Sequence, residues 1–190
     1  MNTVRAFIAI DIGDEIRARL DALQRRLKKV HADVRWVHPG NIHLTLAFIG
    51  DVPTDKTDML KPLLDTGLSG VQPFSLKAYG TGYFGRPGRP RVIWAGIPDA
   101  PKLMDLQAKT IRALLNAGIE FDNKPFHPHL TLGRVKALNH TESLLAKIEK
   151  YKDAELGQTA VNAVNLIKSR LTPQGAEYTI LHQVRLSSVN

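Results

Sequence analysis

Apolar and polar residues follow one another along this chain in patterns that predict interleaved strands and helices. The run RAFIAIDI at residues 5–12 is almost wholly apolar and contains β-branched and aromatic residues, as is typical of a central strand. After Asp14, apolar residues recur at helical spacing as far as Val30 and leave a basic outer surface, which predicts an amphipathic helix. The first half continues with strand patterns at 34–37, 42–49 and 74–78 and with a helical pattern at 54–64.

The second half of the chain repeats this plan. A strand pattern at 91–97 precedes an amphipathic helical pattern that Asp99 is expected to cap. It continues with a strand at 130–135, a helix from Thr141, and a terminal hairpin of strands at 158–170 and 177–186. Because hairpins join antiparallel neighbours, we predict an α+β fold with two mostly antiparallel sheets and the helices outside.

A duplicated tetrapeptide indicates the symmetry of the fold. HLTL occurs at residues 43–46 and again at 129–132, and a shift of 86 residues makes ten of 42 aligned positions identical. Composition alone would give roughly three identities. We interpret the chain as a duplication of two approximate units, 5–79 and 91–186, within one bilobed domain spanning 1–190. Packing of the units about a pseudo-twofold axis would make the two sheets line a central cleft.

The repeated tetrapeptide brings chemically useful side chains together. Alternate residues of a strand point to opposite faces, so His43 shares a face with Thr45, and His129 shares a face with Thr131. Two facing imidazoles suit acid–base chemistry near neutral pH, because one ring can be protonated while the other is neutral. The threonine hydroxyls suit donation to the oxygens of a reacting phosphodiester. The alternative interpretation is a repeated packing motif with two structural histidines.

Composition narrows the class of protein. The chain has 190 residues, 43% of them hydrophobic, which suits one globular domain. The absence of cysteine excludes a disulfide framework and a thiolate nucleophile, and no apolar run is long enough to span a membrane, so we expect a cytoplasmic protein. The net charge of +8 and the pI near 9.8 favour a phosphate or nucleic-acid ligand, although a solvated basic surface would give the same values. No protein partner is indicated.

The segment at residues 80–90, GTGYFGRPGRP, is rich in glycine and proline and predicts a loop that joins the two units. Tyr83 and Phe84 lie beside Arg86 and Arg89, and aromatic and basic side chains together are typical of single-stranded RNA binding. Tyr83 and Phe84 are therefore candidate substrate-binding residues. The alternative is a hairpin loop whose aromatic rings pack against local neighbours.

The motifs together resemble a known superfamily. The paired HLTL strands, the RAFIAIDI opening, the segments NIHLTLAFIG and PFHPHLTLGR, and the run from Ser169 to Tyr178 are similar to those of the two-histidine (2H) phosphoesterases. Within that superfamily the chain resembles the RNA 2′,3′-cyclic phosphodiesterases, also called LigT-like 2′-5′ RNA ligases. The resemblance extends over nearly the whole chain.

The resemblance implies a bilobed fold and hydrolysis of a terminal 2′,3′-cyclic phosphate to a 2′-phosphate, with no metal or other cofactor, and reversible 2′-5′ ligation. The implied ligand is RNA or a nucleotide with a 2′,3′-cyclic phosphate end. At the matching positions, the resemblance implies that His43 donates a proton to the departing 3′ oxygen and that His129 accepts a proton from water. Thr45 and Thr131 would bind the phosphate.

The orientation of Arg134 is left open by the sequence, since strict alternation from His129 puts it on the leucine face and a bulge at Gly133 would turn it toward the phosphate. Two other functions are compatible with the pattern. A metal-dependent hydrolase could use His43, His127 and His129 as ligands, but carboxylates near the motifs are few and cysteine is absent. A basic RNA-binding module would keep both motif histidines as structural residues without turnover.

Overall fold

The computed structural model describes residues 2–98, 100–173 and 175–187. Its strands are β1 (Thr3–Asp11), β2 (Val34–Trp36), β3 (His43–Pro53), β4 (Phe74–Arg86), β5 (Arg89–Gly96), β6 (His129–Val135), β7 (Glu155–Val161), β8 (Ala163–Thr172) and β9 (Gly175–Arg185). Its helices are α1 (Asp14–Lys28), α2 (Thr54–Gly67), α3 (Pro101–Asn116) and α4 (Thr141–Lys150), with a short 3-10 turn at Pro39–Asn41. None of the helices in these ranges is long and apolar enough to cross a membrane. The cap expected at Asp99 lies outside the described residues.

The strands form one antiparallel sheet in the order β7-β4-β5-β6-β3-β1-β8-β9, and β2 pairs with β6 beside this path. The two halves of the sheet join where Leu44 of β3 pairs with Leu130 of β6. The predicted α+β fold with mostly antiparallel pairing and external helices is confirmed. The two predicted sheets are halves of one sheet, because this residue pair connects them.

The strand order is symmetric under the shift of 86 residues. Leu44 and Leu130, which join the halves, are themselves 86 residues apart. β1 lies beside β3 as β5 lies beside β6, and β8 and β4 follow at equivalent positions. Because β4 pairs with β5 and β8 returns to pair with β1, each half of the sheet contains strands from both repeated segments. The repeated segments therefore interlock by exchanging strands.

One face of the sheet packs against the helices and forms the core. The four leucines of the two HLTL segments, Leu44, Leu46, Leu130 and Leu132, are at most 2% exposed. Burying each of them contributes roughly 1.5–3 kcal/mol to stability. The histidines and threonines between them are half-buried on the opposite face, as the alternation predicts. We call this opposite face the histidine face.

The prediction of a loop at residues 80–90 is wrong. β4 and β5 extend through this segment and leave only residues 87–88 in the hairpin turn. The glycines there have packing roles inside the strands. A Cβ atom on Gly82 would overlap the ring of Trp94, and one on Gly85 would overlap the backbone of β5 at a register shift. Glycine in a strand often marks such close approaches, which composition alone does not distinguish from a loop.

The prediction of a single strand at residues 158–170 is also wrong. The segment belongs to two strands, β7 and β8, and Asn162 alone lies between them. β7 pairs with β4 at one edge of the sheet, whereas β8 pairs with β1 and β9 near the other edge. The two chain steps from Val161 to Ala163 span at most about 7 Å, so the sheet must curl until β7 approaches β8. Apolar residues continue on both sides of Asn162, and for that reason the sequence pattern does not reveal the break.

Candidate active site

The two histidines of the repeated motif are held in the same way. Nδ1 of His43 lies 2.8 Å from the carbonyl oxygen of Asn41, and Nδ1 of His129 lies 2.7 Å from the carbonyl oxygen of His127. A carbonyl oxygen only accepts hydrogen bonds, so each Nδ1 must carry the hydrogen and donate it. In each ring Nε2 is therefore the nitrogen that can take up or release a proton.

The junction between the two halves of the sheet brings the four motif residues together. Its antiparallel register sets His43 across from Thr131 and Thr45 across from His129. All four side chains lie on the histidine face. The structure therefore assembles the two imidazoles and two hydroxyls that the duplicated motif predicts.

Aromatic rings enclose His43. Phe7 stacks on the imidazole with 4.7 Å between ring centroids, and Tyr178 meets it edge-on at 5.4 Å. Phe7 is itself buried and contacts the ring of Tyr178 at 5.1 Å. These contacts restrict the orientation of the imidazole and remove part of its surface from water.

Of the two candidate aromatic residues in β4, the structure brings Phe84 next to a motif histidine and does not bring Tyr83 there. Phe84 meets His129 edge-on with 4.8 Å between ring centroids and also contacts Trp94. Tyr83 points to the other face of β4, where it lines a cavity of about 520 Å³ with residues of α4 such as Leu145. Adjacent positions in a strand cannot both face one site, which explains the difference.

Burial lowers the pKa of both motif histidines below the ordinary value of 6.5. The hydrogen bond to Asn41 opposes this effect at His43, and the hydrogen bond to His127 opposes it at His129. The charge of Asp11 also opposes it at His43, whereas the positive charge of Arg134 adds to it at His129. The charge of His129 also lowers the pKa of His43, so protonation of one ring disfavours protonation of the other. Concerted acid–base catalysis requires one ring protonated and the other neutral, and this mutual effect acts in that direction.

A β-bulge turns Arg134 onto the histidine face. The pairing of β6 with β5 skips Leu132, and Gly133 is buried on the side of the core. Arg134 consequently returns to the histidine face, and its charge acts on the pKa of both His129 and Tyr178. The strict alternation that would have put Arg134 on the leucine face does not hold, because the bulge interrupts it.

A buried glutamine supports this bulge. Gln24 of α1 is fully buried, and its Nε2 donates to the carbonyl oxygens of Leu132 and Val37, each at 2.8 Å. The backbone amide of Val37 donates to the same Leu132 carbonyl at 2.9 Å. The carbonyl of the extra residue is thereby satisfied although it leaves the ladder of β5. In the sequence, the burial of Gln24 is indicated by its position one turn after Leu20, among the apolar residues that α1 buries.

We expect Gln24→Leu to lower the free energy of unfolding by about 1–3 kcal/mol, because the partly buried carbonyl oxygen of Val37 loses a donor and the buried carbonyl oxygen of Leu132 keeps only the amide of Val37. Urea denaturation measures the change. Gln107→Leu, at a partly exposed position of α3, is the matched control and should change the free energy of unfolding by less than roughly 0.5 kcal/mol. Unchanged stability of the Gln24→Leu variant would show that the bulge does not depend on α1.

Asn41 has a role that its turn-like sequence context does not reveal. Its carbonyl oxygen accepts from His43, and its side-chain amide donates to the carbonyl oxygen of Ala176 at 2.7 Å. Asn41 therefore orients the ring of His43. It also connects the turn at Pro39–Asn41 to the start of β9, the strand that carries Tyr178. Its equivalent under the shift of 86 residues is His127, which fixes His129 in the same way.

The metal-ligand set considered from the sequence is not assembled. Across the residues that the structure describes, no three side chains of His, Cys, Asp or Glu are grouped closely enough to hold a metal ion. His43, His127 and His129 accordingly do not form such a group.

Comparison with known proteins agrees with this geometry. The chain matches the family model described as LigT like Phosphoesterase over residues 10–94 and 96–178. It is 34% identical over 183 residues to the RNA 2′,3′-cyclic phosphodiesterase of Methanothermobacter thermautotrophicus, a match that covers 96% of this chain and 99% of the relative. It is also 34% identical over 181 residues to the protein of the same name from Thermotoga maritima, which covers 95% of this chain and 94% of the relative.

A solved structure gives the same result at the level of the fold. The crystal structure of E. coli LigT complexed with 3′-AMP matches with a TM-score of 0.79 and 27% sequence identity, and the match covers 98% of this chain and 100% of that chain. The duplicated motif, the curled sheet and these similarities are consistent with one another. The chain belongs to the LigT-like phosphoesterase family of enzymes.

Proposed function

We propose that this protein hydrolyses RNA or nucleotide ends that carry a 2′,3′-cyclic phosphate and leaves a 2′-phosphate. The observation that carries the proposal is the pair of histidines, His43 and His129, each oriented through Nδ1 and each opposite a threonine across the junction of the sheet. The relatives named RNA 2′,3′-cyclic phosphodiesterase support the substrate class, and the LigT structure with 3′-AMP supports a nucleotide ligand.

In this proposal His129 is the general base and His43 is the general acid. Nε2 of neutral His129 takes a proton from water, which attacks phosphorus as the bond to the 3′ oxygen breaks. Protonated His43 gives its proton from Nε2 to that oxygen, so the products are a 3′-hydroxyl and a 2′-phosphate. The lowered pKa of His43 makes its protonated ring a stronger acid, and the lowered pKa of His129 favours the neutral form that acts as the base.

The remaining groups on the histidine face stabilise the phosphate. Thr45 and Thr131 donate hydrogen bonds to the non-bridging oxygens as negative charge develops on them. Arg134 adds a full positive charge, and its planar guanidinium suits two phosphate oxygens at once. Phe84, which contacts His129, limits the access of bulk water on the side of the nucleophile.

The same groups serve 2′-5′ ligation. If the 5′ hydroxyl of an RNA occupies the position of the water, His129 deprotonates it and the attack forms a 2′-5′ linkage. The reverse reaction uses the two histidines in exchanged roles, because the acid of one direction is the base of the other. The net charge of +8 favours the approach of such an RNA.

We expect the protein to convert a nucleoside 2′,3′-cyclic phosphate into the 2′-phosphate alone, and to do so in excess EDTA, since no proposed group is a metal ligand. Phosphorus NMR distinguishes the 2′-phosphate from the 3′-phosphate. The double variant His43→Ala/His129→Ala, purified in the same way, controls for contaminating enzymes. A 3′-phosphate product would contradict the assigned leaving oxygen, and activity that is lost in EDTA and restored by Zn²⁺ or Mn²⁺ would contradict the mechanism.

A further inference from the structure

A cavity of about 520 Å³ lies beside His43 on the histidine face. Its walls are formed by the ends of β1 and β7, by β8 and β9, and by the turn at Pro39–Asn41. The curl of the sheet, which carries β7 toward β8, gives the cavity its far wall. Its volume lies within the range of small-ligand sites.

A row of paired residues runs from the site into this cavity. Thr45 pairs with Ala9, Ala9 pairs with Asn165, and Asn165 pairs with Gln183. Partners in adjacent strands share a face, so Asn165 and Gln183 lie on the histidine face with Thr45. The backbone of Asn165 lies two strand spacings, about 10 Å, from that of Thr45. Ala9 lies between them and is fully buried in a cluster with Phe7, Ile167 and Tyr178.

Asn165 and Gln183 form a hydrogen-bonded pair of amides. Nε2 of Gln183 donates to Oδ1 of Asn165 at 2.9 Å. This bond leaves the pair with an amide NH₂ group and a carbonyl oxygen, and turning both amides over leaves the same set. Asn165 is only 4% exposed and lines the cavity, so the free amide group of the pair is available to a ligand there. The pair therefore suits a ligand that offers an acceptor next to a donor.

Apolar side chains lie next to this polar row. Ile167 pairs with Phe7 on one side and with Ile180 on the other. Ile180 is 56% exposed, and Tyr178 adds an aromatic ring to the same wall of the cavity. Together they leave an apolar surface that a flat heterocycle could cover.

The charges near the cavity do not favour a phosphate inside it. Among the described residues that line the cavity there is no Lys or Arg. Asp11 contributes a carboxylate at one end, where Arg17 contacts it at 2.9 Å. Positive charge is instead available from Arg134, whose influence reaches His129. The positive charge near His129 therefore suits a phosphate, whereas the cavity beside His43 suits an uncharged group.

We propose that this cavity binds the base of the nucleoside that carries the cyclic phosphate, with Asn165 and Gln183 hydrogen-bonded to the edge of the base and Ile180 against its face. The inference rests on the proposed function, in which His43 protonates the 3′ oxygen. That oxygen stays attached to the nucleoside, so the nucleoside must lie on the His43 side. Each RNA base presents an acceptor next to a donor, which matches the amide pair.

The test compares the four nucleoside 2′,3′-cyclic phosphates with 1-O-methylribose 2′,3′-cyclic phosphate, which has no base. We expect kcat/KM of the unmodified protein to be at least about tenfold lower for the base-free compound. Gln183→Leu and Ile180→Ser change exposed positions and should raise KM for the nucleotides roughly three- to tenfold with little change in kcat. Neither should affect the base-free compound. Gln158→Leu, at an exposed position of β7, is the matched control.

Equal kcat/KM for the nucleotides and the base-free compound, or variants that affect both alike, would overturn the inference. NMR of the Asn165 and Gln183 side-chain amides during titration with uncharged nucleosides measures binding without turnover. Amide shifts without hydrolysis of any of the five substrates would reject the proposed function and retain the base site. Hydrolysis of the nucleotides with neither amide shifts nor a preference for a base would reject the base site and retain the proposed function.

Discussion

Replacing His43 or His129 by alanine is expected to lower kcat/KM for a nucleoside 2′,3′-cyclic phosphate by roughly 10²- to 10⁴-fold, because each change removes a general acid or a general base. The double variant should be little worse than the worse single variant, since both rings act on one transition state. Steady-state kinetics measure these changes. His182→Ala is the matched control, because its ring contacts Asp65 at 2.8 Å and lies on the face of the sheet opposite to the motif.

The different roles of the two rings predict different responses to the leaving group. A nitrophenyl phosphodiester scarcely needs a proton on its departing oxygen, so it should largely restore the activity of His43→Ala and leave His129→Ala impaired. The opposite result would reverse the assigned roles. If the nitrophenyl substrate restores the activity of neither variant, the histidines position the phosphate and do not transfer protons.

The centre of the site could be predicted from the sequence because it depends on two local regularities. Alternation within HLTL determines which side chains share a face, and the shift of 86 residues identifies the equivalent strands. These regularities are sufficient to predict that His43 and Thr45 come together with His129 and Thr131, although the prediction put the two pairs across a cleft between two sheets and the structure puts them at the junction of one sheet. They do not distinguish the acid from the base, because the motif itself is symmetric.

The bulges could not be established from the sequence, which left the orientation of Arg134 open, since they depend on pairing between strands that are distant in the chain. A bulge at the same point of β3 and β6 turns Phe48 and Arg134 onto the histidine face. Alternation within one strand does not indicate which residue its neighbour will leave unpaired. The segment 80–90 was misinterpreted for a related reason, because Gly82 makes room for Trp94 across the hairpin.

The difference between these two positions makes the site chemically directional. Phe48 carries no charge, and Arg5 lies over its ring at 4.9 Å. Arg134 occupies the equivalent position on the other side and lowers the pKa of His129. Equivalent backbone positions therefore carry an aromatic side chain in one half of the sheet and, in the other half, a positive charge that acts on His129.

Arg134→Gln is expected to lower kcat/KM for a cyclic phosphate by roughly 10²-fold, the effect of losing one strong donor to a transition-state oxygen. Arg134→Lys should recover part of this loss, because an ammonium group keeps the charge without the planar pair of donors. Arg112→Gln, at an exposed position of α3, is the matched control and should leave kcat/KM unchanged. Equal activity of Arg134→Gln and the unmodified protein would exclude a role for the guanidinium at the phosphate.

The pH dependence of kcat/KM tests the electrostatic contribution of Arg134 separately. The profile of the unmodified protein should be bell-shaped, with both limbs on the acid side of 6.5, because burial lowers the pKa of His43 and of His129. His129 must be neutral to act as the base, so activity falls as the pH decreases through its pKa. The charge of Arg134 lowers that pKa, and Arg134→Gln should therefore raise it and move the acid limb to higher pH, whereas Arg134→Lys should leave the limb nearly in place. An acid limb of Arg134→Gln that stays in place or moves to lower pH would show that Arg134 does not act on His129.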